Sequence, residues 1–351
     1  MGEQRMTETL RFLVFGCGAI GTYIGASLAA SGQKVVFLDR AEVADSLRSR
    51  GLHVQVNEID LRVANPIMVT NIDQALENGP FDAAILAVKS FDTRNLMESL
   101  QPYADRLPPV VCFQNGVENE ALIASFLGKD HVIAGTVTTA IGRRGLGDVA
   151  VEKLRGVGVA DPENRVPGLV EALNRAGLRA QAYLDGPAMK WSKMLTNLQA
   201  NASSAILDMT PGEIFADRKL FQLEMRLLRE ALRVMQAQQI AVVDLPRTPV
   251  RALAAIINMP PFISQILLKR ALGSGRGGKM PSFHIDLHQG RGSSEVDFLN
   301  GAVVRFGKKC GIPTPVNQFY NETLIALSEG RIPLETYSHR PEAFLMAAPA
   351  D

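Results

Sequence analysis

Apolar runs and polar intervals alternate along the first half of the chain in a way that predicts strands and helices in turn. Residues 11–15 (RFLVF) are a short run of β-formers ending in Gly16-Cys17-Gly18-Ala19-Ile20-Gly21, and a helical stretch follows until Ser31-Gly32 stops it. Residues 34–38 (KVVFL), 83–88 and 110–113 repeat the apolar signal. Strands alternating with helices predict a parallel sheet covered on both faces. After about Thr136, short alternating segments with glycine turns (142–147, 156–158) read as antiparallel hairpins. A helix over 166–176 and a last strand over 179–183 follow, and Asp185-Gly186-Pro187 is the expected hinge.

Beyond Ala188 the periodicity is helical over 189–207, 220–239, 247–258 and 295–307, punctuated by Pro260-Pro261 and the glycine run 273–278 (GSGRGG). The pattern therefore predicts an α/β fold, with a doubly wound parallel sheet over residues 1–186 and an all-α domain over 187–351. A length of 351 residues fits two domains. With 46% hydrophobic residues the chain has material for a sizeable core. A net charge of +1 gives no electrostatic case for nucleic acid or an anionic membrane as main partner. Cys17, Cys112 and Cys310 are odd in number and far apart, so no disulfide framework or paired-cysteine metal site is expected. Free thiols, a polar start and the lack of any apolar run of about 18 residues predict a cytoplasmic protein.

The glycine loop stands where a dinucleotide site needs it, between a strand and a helix with a second strand beyond, as in a Rossmann-type domain. Gly16 permits the tight turn, Gly18 lets backbone approach a pyrophosphate, and Gly21 lets helix and strand pack closely. The N-terminus of the helix that follows the loop offers free N–H groups and a positive dipole end to phosphates. At the end of the second strand, an acidic residue would bond a ribose 2′-hydroxyl and an arginine would pair with a 2′-phosphate. The chain has both, Asp39 and Arg40. Arg40 favours NADP (NADPH), Asp39 keeps NAD open, and a merely solvated Arg40 is the bland alternative.

The helical half carries a polar stripe. Lys193, Asn197 and Asn201 are spaced i, i+4 and i+8 among Met194, Leu195, Leu198, Ala202, Ala205 and Ile206. Either the stripe faces water, or an amine and two carboxamides on a buried helix find partners in a ligand with carbonyl, hydroxyl and carboxylate groups. Ser282 and Asp286 follow the glycine run, and Glu295 opens a helix, where an acid gains from the dipole. His284 and His288 have helical chelate spacing, but no third ligand is apparent, so no metal is expected.

Five segments together resemble the ketopantoate (2-dehydropantoate) reductase family: FGCGAIG at 15–21, AVKS at 87–90, FQNGVEN at 113–119, WSKMLTNLQAN at 191–201 and SFHIDLHQGRGSSEVDFLNG at 282–301; GIPTPVN at 311–317 fits too. The resemblance spans nearly the whole chain. It implies a Rossmann domain joined to a helical domain, an active site in the cleft between them, and NADPH-dependent reduction of a 2-oxo acid. By position, Lys193 matches the catalytic lysine, Glu295 the glutamate that orients substrate and cofactor, and Asn197, Asn201 and Ser282 substrate-binding residues. Asn115 matches the asparagine at the nicotinamide ribose and substrate. Lys89 and Arg40 match cofactor-binding basic residues, and Ile141 a backbone contact to the cofactor. Gly16, Cys17, Gly18, Ala19, Ile20 and Gly21 form the implied phosphate loop. The chain departs from the pattern at Pro211, where an asparagine is common, at Phe283 and Ile285, and in about thirty extra residues near 244–277, expected to form a helical hairpin and the surface of a homodimer if one exists. Those departures leave another bulky 2-oxo acid open as substrate. A catalytically idle sensor of the NADPH to NADP ratio is the reading from another class, and intact Lys193 and Glu295 argue against it.

Overall fold

The computed structural model describes residues 9–273, 280–288 and 294–350, leaving aside the side chains of 269–273. Most of the glycine run at 273–278 and part of the segment joining Ser282 to Glu295 lie outside the described residues. The chain divides into two compact units. One contains the chain up to Gln114, then Glu118–Lys190 and Leu245–Thr248; the other contains Asn115–Val117, Trp191–Asp244 and the chain from Pro249 onward.

The first unit carries all twelve described strands: β1 (Arg11–Phe15), β2 (Lys34–Leu38), β3 (Leu52–Val56), β4 (Ile59–Val63), β5 (Ile67–Val69), β6 (Ala83–Leu86), β7 (Val110–Cys112), β8 (Val132–Val137), β9 (Ala140–Gly145), β10 (Asp148–Lys153), β11 (Val157–Ala160) and β12 (Ala180–Ala182). Its helices are α1 (Ala19–Ala30), α2 (Ala41–Arg50), α3 (Ile72–Glu77), α4 (Thr93–Leu100), α5 (Asn119–Leu127) and α6 (Leu169–Arg175). Eight strands form one sheet in the order β12-β11-β8-β7-β6-β1-β2-β5. Neighbours run parallel except β8 and β11, so the expected parallel sheet is mixed near one edge. Alternation along β1 explains the double winding. Phe12 and Val14 face one apolar cluster with Tyr23, Ile24 and Leu28 of α1, whereas Leu13 and Phe15 face another with Met97 and Ile123 of α4 and α5.

A second sheet, ordered β4-β3-β10-β9, was not foreseen. The hairpin of β9 and β10 is the antiparallel pair that the glycine turns predict, but β10 also pairs in parallel with β3. This sheet contacts α1 on the side away from the main sheet. That is why every residue from Gly21 to Leu28 is buried and the helix lacks a polar face.

The remaining helices are α7 (Gly186–Leu198), α8 (Asn201–Leu207), α9 (Pro211–Ala216), α10 (Arg218–Ala237), α11 (Val250–Ile257), α12 (Pro261–Gly273), α13 (Ser282–His288), α14 (Val296–Cys310), α15 (Pro315–Ser328) and α16 (Pro341–Ala347). The expected hinge is helical instead. Gly186 already opens α7, and Asp185 Oδ1 accepts from the Ala188 amide at 2.8 Å in the manner of a cap. The expected helical hairpin exists as α11 and α12. Two buried acids organise the helical unit. Glu230 accepts from the Val316 and Asn317 amides, both at 2.9 Å, and so caps the first turn of α15. Asn317, the last residue of GIPTPVN, is fully buried and also donates to Glu230 at 2.8 Å. No helix among the described residues is long and apolar enough to cross a membrane.

Candidate active site

In the first unit, the carboxyl ends of β1, β2, β6 and β7 share one edge of the sheet, because these strands are mutually parallel. The strand order turns in opposite directions on the two sides of β1, which is the place where α/β sheets open a ligand crevice. The glycine loop lies there. Gly16 has φ +88°, a conformation open to glycine, and a Cβ on Gly21 would sit 1.8 Å from the Gly16 carbonyl oxygen. A Cβ on Gly18 would meet nothing within 4 Å, so the loop backbone faces open space where a pyrophosphate needs it. Asp39 braces the loop: its Oδ2 accepts from the Cys17 amide at 2.6 Å and its Oδ1 from the Arg40 amide at 2.8 Å. Burial, with Asp39 alongside, pushes the Cys17 thiol well above its ordinary range, so this sulfur is a packing group and no nucleophile.

Arg40 precedes α2, is exposed, and makes no ion pair among the described residues. Lys89 stands half-buried just beyond β6. Ile141 lies on β9, paired opposite Val151, and both Ile141 and Ile20 of the loop pack partly buried against the same apolar cluster. The residues present suit a dinucleotide: free helix amides at Ala19 and Ile20, open backbone at Gly18 and an unpaired cation at the second strand.

In the second unit the polar stripe is only partly a stripe. Lys193 and Asn197 lie one turn apart on α7, and Lys193 Nζ donates to Asn197 Oδ1 at 2.7 Å. Asn197 Nδ2 in turn donates to Asn115 Oδ1 at 3.0 Å. Three predicted residues from two distant segments thus form one hydrogen-bonded chain, half-buried throughout. The expected single helix over 189–207 is broken, however. Ala200 takes a left-handed conformation (φ +49°), and Asn201 starts α8 on a new course. The physical reason is Glu224 of α10, fully buried, whose Oε2 accepts from the Ala200 amide at 2.9 Å and whose Oε1 accepts from the Tyr320 hydroxyl at 3.0 Å. Burial raises this carboxyl above its ordinary value, and the hydrogen bonds it receives from Ala200 and Tyr320 only partly offset that.

Redirected by the break, Asn201 is buried and its Oδ1 accepts from the Phe283 amide at 3.2 Å, in the first turn of α13. Ser282, exposed, is the first residue of that helix, so Asn201 and Ser282 are neighbours through the backbone. Glu295 is buried, 5% exposed, immediately before α14. Pro211 is the first residue of α9 and is buried, behind a capping box made by Thr210 and Glu213.

Three residues here escaped the reading of the sequence. Lys190 is buried with its Nζ 2.7 Å from Glu120, 2.6 Å from the Gln114 carbonyl and 3.2 Å from the Gly135 carbonyl. It therefore fixes the strand end that leads into Asn115. Glu224 occupies a core phase of α10, one turn from Leu220 and Leu228, and a lone acid in that phase was its signal. Asp208 gave none.

Family models support one assignment across most of the chain. That of ketopantoate reductase PanE/ApbA matches residues 12–162, and that of its C-terminal domain matches residues 187–328. This chain belongs to the ketopantoate reductase family. It is accordingly an oxidoreductase of the class that interconverts C=O and CH–OH. It is 28% identical over 328 residues to a 2-dehydropantoate 2-reductase of Archaeoglobus fulgidus, covering 91% of this chain and 97% of that one. It is 26% identical over 321 residues to one from Streptococcus pyogenes, covering 89% and 96%. In fold it is similar to a ketopantoate reductase family protein of Ralstonia eutropha, with TM-score 0.77 and 23% identity over 92% of this chain and 99% of that one. A D-mandelate dehydrogenase solved with NADH and anilino(oxo)acetate shares the fold too, with TM-score 0.75 and 22% identity over 92% and 99%. The fold expectation, a Rossmann-type sheet followed by helices, agrees with these family structures, with the mixed edge as its correction.

Proposed function

We propose that this chain reduces 2-dehydropantoate (ketopantoate) to pantoate with NADPH, with Lys193 as proton donor. The observation that carries the reading is the chain Lys193–Asn197–Asn115, a cation held by carboxamides from two segments that the family's lysine and asparagine motifs predict. When bound, the reduced nicotinamide supplies a hydride to C2 of the 2-oxo acid. The electron pair of the C=O bond moves to oxygen, and the Lys193 ammonium gives its proton to that alkoxide and regains one from solvent. A cation fixed where oxyanion charge develops lowers the barrier in its own right. Asn197 orients Lys193 through its carbonyl oxygen, which accepts from the amine at 2.7 Å. Asn201 and Ser282 at the start of their helices bind the acid's oxygens, and Glu295 orients substrate and cofactor. On the first unit, Gly16–Gly21 seats the pyrophosphate with Ile141 alongside. Lys89 and Arg40 supply positive charge, Arg40 to the 2′-phosphate.

The test is oxidation of NADPH and NADH by the purified protein with a panel of 2-oxo acids. Ketopantoate with NADPH should give the highest kcat/KM, and equal rates with all acids or none would reject the reading. Pro211 favours a second reading, reduction of another bulky 2-oxo acid. An apolar ring replaces a carboxamide there, and a bulkier apolar acid leading the panel would establish it. A cytoplasmic setting and a homodimer belong to the same proposal.

A further inference from the structure

The helical unit gathers three of the chain's five histidines around one carboxylate, none of them used in the reading above. His284 Nε2 lies 2.6 Å from Asp208 Oδ1, and His339 Nε2 lies 3.6 Å from Asp208 Oδ2. His288, one turn beyond His284 on α13, stacks on it with ring centroids 4.1 Å apart and planes inclined by 23°. His288 Nε2 lies 3.3 Å from the Ala205 carbonyl oxygen. One donor atom each from Asp208, His284 and His288 falls within 4.8 Å of the others. We infer that Asp208, His284 and His288 form a site for a divalent transition-metal ion of the zinc class.

The chemistry fits that class. Two imidazoles and a carboxylate are borderline ligands, suited to Zn²⁺ and poorly suited to Mg²⁺ or Ca²⁺. Bonds of about 2.0–2.1 Å in a tetrahedron set neighbouring donors about 3.3 Å apart. His284 and Asp208 must therefore part slightly from their present 2.6 Å and the third donor must close in, which are side-chain adjustments only. Asp208 itself is preset: it ends α8 in a left-handed conformation (φ +52°), and the His339 amide donates to the neighbouring Leu207 carbonyl at 2.7 Å. The ion would join two segments, the end of α8 and the helix α13. Asn201 opens α8 and Ser282 opens α13, so an ion held by the end of α8 and by α13 links the two helices that carry these residues. Binding itself does not depend on the catalytic reading.

The experiment is calorimetric titration of the chelator-treated full chain with Zn²⁺, and of the same protein with Co²⁺ while visible absorption is followed. One ion per chain is expected, with Co²⁺ bands of tetrahedral intensity and a raised melting temperature. His288→Ala, at an exposed position, should weaken binding at least about tenfold, and the double change His284→Ala with His288→Ala by more than about 100-fold. Acidification should weaken binding, because the ligands must be deprotonated. Absence of saturable binding at one ion per chain would overturn the site, as would affinity indifferent to both variants.

Discussion

Lys190 and Lys193 stand one turn apart on α7, the first at the end packed into the sheet unit and the second at the end that enters the helical unit. On the proposed reading the same functional group serves opposite uses in the two. Lys190 is 4% exposed, and a carboxylate and two carbonyls take up all three of its N–H groups. Burial alone would lower its pKa, but Glu120 outweighs that and holds it above the ordinary lysine value. Such an amine is a fixed structural cation with no proton to lend. Lys193 is half-buried, and its Nζ donates to the Asn197 carboxamide oxygen at 2.7 Å. On the proposed reading one amine is a strut and the other a proton donor.

The sharpest way to break this contrast is Lys193→Ala. It should lower kcat by about 10²–10⁴ while leaving the melting temperature and dinucleotide binding near those of the parent; retained turnover would remove Lys193 from the chemistry. Lys190→Met should do the reverse. It strands Glu120 without its cation and costs about 3–5 kcal/mol of stability, read as the shift of a urea midpoint. Weaker again is Arg40→Ala, expected to raise the KM for NADPH by about 10–100-fold and to leave that for NADH unchanged, the loss of one or two charge-assisted hydrogen bonds. Equal effects on both cofactors would deny Arg40 the 2′-phosphate.

The smallest effect concerns Glu224, as deeply buried as Lys190 but with no cation. Its folded pKa is raised, so its contribution is fully present below its ordinary value of 4.5 and is lost as pH climbs through the folded value. Glu224→Gln keeps an acceptor for the Ala200 amide and does not ionise. Melting temperatures taken across pH should therefore show the parent falling behind this variant as pH rises from 4.5. A constant difference would mean that Glu224 does not titrate on unfolding.

Legibility followed the range of the forces involved. The glycine loop, β1 and β2 were readable to the residue, because local steric demands and short apolar runs determine them. The hairpin of β3 and β4 was overlooked, although LHVQV and IDLRV alternate around Asn57, whose positive φ suits a tight turn. Its partner, β10, lies far along the chain. The i+4 step from Lys193 to Asn197 survived in the structure, whereas the step to Asn201 did not. A carboxylate 24 positions away breaks the helix between them. Asp208 was invisible as a companion of His284 for the same reason, being 76 positions distant. Helical phase reports which residues share a face only for as long as no outside group captures the backbone.

The bracing of the glycine loop by Asp39 has a consequence for protein engineering. Exchange of one nicotinamide coenzyme for the other is ordinarily attempted at the acidic residue closing the second strand. In this chain that acid also anchors the Cys17 amide, so altering it would slacken the glycine loop that is proposed to seat either coenzyme. A redesign of preference therefore has to act through Arg40 and its exposed neighbours, leaving the aspartate in place.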